Sequence, residues 1–101
     1  MLVLRRTVGT AITISASEYI VVKLAQIDWL GACAVLEVRR DGKKGELLEM
    51  GPGEMVQIDP DVQFKLLCLS YATHEGTPAR VAEFGIDAPR SIRIQRAELD
   101  N

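Results

Sequence analysis

Aromatic side chains are scarce in this chain: two Phe, two Tyr and one Trp among 101 residues. A core with so few rings must rest on Val, Ile, Leu and Ala, and β-branched residues at alternate positions favour strands. Cysteine is nearly absent as well, with Cys33 and Cys68 alone, each inside an apolar run. The apolar start of the chain, MLVL, is too short for a secretory leader, so both cysteines are expected as reduced, buried thiols of a cytoplasmic protein. No run approaches the roughly 18 apolar residues of a membrane-spanning helix. A basic excess is also missing: 12 Lys and Arg stand against 14 Asp and Glu, for a net charge of −2. That excludes a general polyanion binder working through overall charge, so any nucleic-acid role needs a local patch. The lone histidine, His74, falls beside Glu75 in an expected loop, and Cys33, Cys68 and His74 do not have metal-ligand spacing. GPGE at 51–54 lacks the long glycine spacing and the Lys of a phosphate loop and reads as a turn. No catalytic constellation emerges, and neither a cofactor nor a small-molecule substrate is expected.

The apolar content of 48% is that of an ordinary globular domain. Turn signals recur along the chain: Asp41-Gly42, Gly51-Pro52-Gly53, Asp59-Pro60, Gly76-Thr77-Pro78 and Ala88-Pro89. Between them, short runs alternate with period two, as half-buried strands do. Leu2 and Leu4 alternate with Val3 and Arg5, and Ile12 and Ile14 bracket Thr13. Val62, Phe64, Leu66 and Cys68 oppose Gln63 and Lys65, and Ile92 and Ile94 oppose Ser91, Arg93 and Gln95. The stretch from Ser17 to Val38 is ambiguous. Ile20, Leu24, Ile27, Leu30 and Ala34 keep helical spacing, whereas Val21, Val22, Val35 and Val38 favour extended chain. Two strands broken near Asp28 to Gly31 are expected there. The fold class that follows is all-β: a small barrel or sandwich of short, mostly antiparallel strands in one domain spanning 1–101.

Two stretches carry a resemblance. MLVLRRTVGTAITI at 1–14 and ARVAEFGIDAPRSIRIQRAEL at 79–99 resemble the first two and the last two strands of the carbon storage regulator family, small bacterial RNA-binding regulators of translation. GIDAP followed by alternating apolar residues and RAEL is the more specific of the two matches. The chain departs from the family in its length, in the order Arg5, Arg6, Thr7, and in Thr10 where a Glu is common. The resemblance implies an interleaved dimer in which the first strand of one subunit lies beside the last strand of the other. That edge binds a GGA-containing loop of messenger or small RNA. Carried over by position, the RNA-contacting residues are Leu4, Arg6, Ile94 and Arg96, with Arg5, Arg90 and Arg93 nearby. Arginine suits the task because its planar fork of donors matches a guanine edge or a phosphate, and an unpaired loop exposes those groups.

Two accounts of the extra length stand side by side. In one, GELLEMGPGEMVQIDPDVQFKLLCL at 45–69 repeats the opening strands, giving degenerate copies at about 1–45 and 46–101. The chain is then a single-chain imitation of the family dimer, with residues 2–6 paired to 91–96. Its opposite edge carries Glu46 and Glu49 in place of basic residues, which repel phosphate. In the other account, residues 15–57 interrupt a single copy, and the partner is a second copy or a shorter relative. Arg39, Arg40, Lys43 and Lys44 are expected as a solvated hairpin tip around Asp41-Gly42. The rival function is a protein-interaction, assembly or decoy module whose RNA surface has decayed.

Overall fold

A computed structural model describes residues 1–30, 32–41, 43–74 and 76–99. The elements run β1 (Leu2–Thr7), β2 (Ala11–Ser15), β3 (Tyr19–Asp28), β4 (Cys33–Arg40), β5 (Glu46–Met50), β6 (Met55–Asp59), β7 (Val62–His74), β8 (Thr77–Asp87), β9 (Arg93–Arg96) and a 3-10 turn, Ala97–Leu99. The strands form two antiparallel sheets, one ordered β1-β8-β7-β6 and the other β5-β4-β3-β2-β9. They face each other as a sandwich rather than closing into a barrel. The inward positions of both sheets meet in one core that includes Ile14, Ile20, Leu36, Ile58, Phe64 and Phe84. Phe64 and Phe84, adjacent strands' rings, pack tilted at 5.9 Å between centroids. Among the described residues no helix is long and apolar enough to cross a membrane.

The helical spacing in Ser17–Val38 has a strand explanation. β3 pairs with β4 from Ile20↔Arg40 onward, and its register shifts between Leu24 and Gln26. Such a bulge inserts one residue and reverses the alternation, so Ile20, Val22, Leu24 and then Ile27 all point inward and are buried. The chain turns after Asp28, whose Oδ1 accepts from the Leu30 amide at 3.0 Å. Leu30, counted on the apolar face by helical spacing, is fully exposed at 102%. β7 carries a second bulge between Leu66 and Cys68. It turns Cys68 outward and Leu69 inward, so the expected pair of buried thiols is corrected: both cysteines are free, Cys33 half-buried and Cys68 exposed.

The two halves of the chain are wired alike and interleaved. β1 lies on β8 through Leu4↔Phe84 and Arg6↔Ala82, while β5 lies on β4 through Leu48↔Leu36 and Met50↔Ala34. Each half thus donates its opening strand to the sheet of the other. Gly9 and Gly53 turn the chain between sheets at φ of 95° and 87°, values open to glycine at little cost. Their amides donate to the carbonyls of Leu24 and Leu66, each at 2.8 Å, and the Leu24 and Leu66 amides return bonds to Thr10 and Glu54 at 2.9 and 3.2 Å. The bulges at Leu24 and Leu66 follow at the same point of each hairpin. β9 breaks this correspondence. It covers the edge of β2, whereas β6, in the matching place of the other sheet, ends that sheet with β7 as its partner.

Candidate nucleic-acid interface

β1 alternates between surface and core. Val3 and Arg5 point outward and are exposed, Leu4 is half-buried against the core, and Arg6 is buried. Only 8% of the Arg6 side chain is accessible. Its Nε donates to the Arg5 carbonyl at 3.0 Å and Nη1 to the Ala11 carbonyl at 2.9 Å. The two terminal nitrogens then clasp Glu98, Nη1 to Oε1 at 2.6 Å and Nη2 to Oε2 at 2.9 Å. A bidentate pair of this kind is strong and orientation-specific. Arg6's hydrogen bond, helped by Glu98's own backbone amide and by the charges of Arg6 and Arg96, holds the Glu98 carboxyl down at about 2. Arg6, expected among the RNA-contacting residues, is thus a buried side chain whose guanidinium fastens β1 to the 3-10 turn.

The expected pairing of residues 2–6 with 91–96 is corrected as well. β1 and β9 are the end strands of different sheets, laddered to β8 and β2 respectively. They nonetheless run side by side. Leu2 shares a cleft with Ile92 and Ile94, and Arg6, near the other end of β1, reaches Glu98 just after β9. The strands therefore point the same way, each with one backbone edge outside any ladder among the described residues. The cleft between them measures about 210 Å³ and is floored by Leu2, Ile86, Ile92 and Ile94. That is below the roughly 300–1,000 Å³ of small-molecule pockets. It suits one flat group entering from a flexible ligand better than a whole cofactor.

Of the candidate arginines, one borders this cleft. Arg90 lines it, and Arg93 and Arg96 stand exposed on β9. Arg93 Nε donates to Gln95 Oε1 at 3.3 Å, and Arg5 sits 3.6 Å from Glu83, its directly opposite neighbour on β8. Among the described residues Arg90 and Arg96 make no ion pair. Ile94 is half-buried, packed on the core and facing the cleft. No protein-family model, curated protein or solved structure matches the chain.

Sequence reasoning missed Asp87, which lines the same cleft and whose Oδ1 lies 4.0 Å from the N-terminal ammonium. The signal lay in GIDAP, whose turn brings Asp87 next to the chain start once β1 is laid on β8. The second basic cluster is not simply a solvated tip. Arg40 is 23% exposed and bridges Glu18 at 3.7 Å and Glu46 at 3.6 Å, while Arg39 pairs with Glu37 at 3.4 Å. Lys43 and Lys44 are exposed, and Gly42 lies outside the described residues. Residues 45–64 contain Glu46, Glu49, Glu54, Asp59 and Asp61 and no Lys or Arg.

Proposed function

We propose that the chain is a single-chain relative of the carbon storage regulator family that binds one unpaired RNA loop, displaying GGA, at the cleft between β1 and β9. The observation that carries this reading is the pair of open strand edges, running in one direction, with Arg90 in the cleft between them and Arg93 and Arg96 exposed on β9. One base enters the apolar cleft over Leu2 and Ile94, backbone groups of the edges bond to neighbouring bases, and the arginines take phosphates and a guanine edge. Arg5, half-neutralised by Glu83, contributes less. Arg6 acts through Glu98 by holding the 3-10 turn and β9 in place.

The repeated wiring of the halves favours a duplication over an insertion, and hence a monomer that stands for a dimer. Its second edge, at β5, presents Glu46 and Glu49 and has no counterpart of β9 beside it, so one RNA per chain is expected. The test is binding of a hairpin RNA displaying GGA against the same hairpin mutated in the loop. Arg96→Ala should weaken binding of the first by about 1–3 kcal/mol if that side chain reads a base. Phosphate contacts from Arg90 and Arg93 would give a salt slope of about −1.4 in log K against log salt. Equal affinity for the two hairpins overturns the reading, and two equivalent RNA sites per monomer overturn the single-edge part of it.

A further inference from the structure

We infer, resting on the function proposed above, that Asp87 makes the cleft between β1 and β9 specific for guanine, by accepting hydrogen bonds from the base's N1–H and N2 amino group. Asp87 is the last residue of β8, and the ladder of β1 on β8 brings it beside the start of β1 through Leu2↔Ile86. Its side chain lines the cleft and is 67% exposed. Among the described residues its one ion-pair partner is the Met1 amine, 4.0 Å from Oδ1, which is too long for a hydrogen bond. No other group of the described residues bonds to either carboxylate oxygen. Asp87 therefore keeps both oxygens as acceptors for a donor that the fold does not supply.

The rest of the cleft narrows what that donor is. Leu2, Ile86, Ile92 and Ile94 give it an apolar floor, and about 210 Å³ admits one base rather than two. Asp87 and Arg90 are the charged side chains among the described residues that line it. If the cleft held phosphate alone, on Arg90, a carboxylate beside it would only weaken the site by repulsion. Next to an unpaired base the same carboxylate discriminates. Guanine presents N1–H and the N2 amino group side by side, two donors that match the two oxygens of one carboxylate. Adenine puts an acceptor at N1 and has no N2 amino group. Cytosine sets an acceptor, N3, beside its amino donor, and uracil has one donor between two acceptors. Each of these leaves a carboxylate oxygen unpaired or facing another acceptor, and a site built to hydrogen-bond rejects such a ligand strongly.

The test uses the intact chain, the GGA hairpin and two versions of it in which inosine replaces one guanine or the other. Inosine lacks only the N2 amino group and keeps the ring, N1–H and O6. At one of the two positions inosine should weaken binding by the parent chain about tenfold or more. In Asp87→Ala that penalty should fall to about twofold or less, and Asp87→Asn, the same shape with one acceptor oxygen, should lose most of it too. Arg90→Ala should weaken the guanine and inosine hairpins alike and keep the penalty, as a phosphate contact does. An inosine penalty as large in Asp87→Ala as in the parent, no penalty at either position, or tighter binding of the GGA hairpin by Asp87→Ala would each overturn the inference while RNA binding at the cleft still stood. Equal affinity of the parent chain for the GGA hairpin and its loop mutant would overturn the RNA reading, and the role of Asp87 with it.

Discussion

The clasp between Arg6 and Glu98 ties residues 92 positions apart and offers a quantitative test of what holds β9 in place. A charge-assisted hydrogen bond contributes about 1.5–3 kcal/mol when well protected. Glu98 is 53% exposed, however, and solvent screening reduces the ion-pair part to about 1 kcal/mol. Glu98→Gln leaves the Arg6 bond to the Ala11 carbonyl intact and should therefore cost about 1 kcal/mol. Arg6→Met loses that bond too, but places in β1 the side chain that β5 already buries at its matching position, Met50. A cost of about 2 kcal/mol is expected. The double variant should cost little more than Arg6→Met alone, a coupling of about 1 kcal/mol in a double-mutant cycle measured by urea unfolding. The pH dependence follows with a definite sign. The folded carboxyl sits at about 2 against an ordinary 4.5, so its contribution is complete above the ordinary value and is lost as pH falls from there toward 2. The stability gap between the parent chain and Glu98→Gln should close over that interval. Additivity within about 0.3–0.5 kcal/mol would refute the clasp. So would an RNA affinity that falls far more for Arg6→Met than for Glu98→Gln, since that would make Arg6 a direct contact.

Other expectations are simpler to check. Gly53→Ala meets no atom within 4 Å but forces a side chain into φ of 87°, so a loss of about 1–2 kcal/mol from backbone strain alone is expected in thermal or urea unfolding. Gly9→Ala should match it, given the shared geometry; a clear inequality would deny that the two turns are equivalent. A thiol reagent at neutral pH should modify Cys68 well before Cys33, because Cys33 is half-buried and desolvation, then Glu49, Asp28 and Glu54, push its thiol up. Mass spectrometry of partially labelled protein reads the order, and labelling of Cys33 first would contradict it. Phe64→Ala removes a fully buried ring from between the sheets and should cost about 3–5 kcal/mol; a loss under about 1 kcal/mol would mean that the core is not shared as described.

The alternation of apolar residues in residues 2–5, 12–14 and 62–66 and the turn residues at 51–53, 59–60, 76–78 and 88–89 made the strands and their breaks legible in the sequence, because period-two burial and turn geometry are local properties. Where an extra residue enters a strand the local signal misleads. The bulge after Leu24 made β3 mimic a helix, and the bulge after Leu66 put Cys68 on the wrong face. The exposure of Arg93 also follows from the period-two alternation around Ile94. Tertiary structure alone decided which strands share a sheet. Period two fixes which face of a strand is buried but not its neighbour, so the crossing of β1 onto β8 and β5 onto β4 had to come from long-range packing. The same crossing set Arg6 apart from Arg5. One residue along a strand reverses the side chain, and there Glu98 and the Ala11 carbonyl were waiting for its guanidinium. It also left β6 uncovered, a consequence of a ninth strand with no counterpart in the other half.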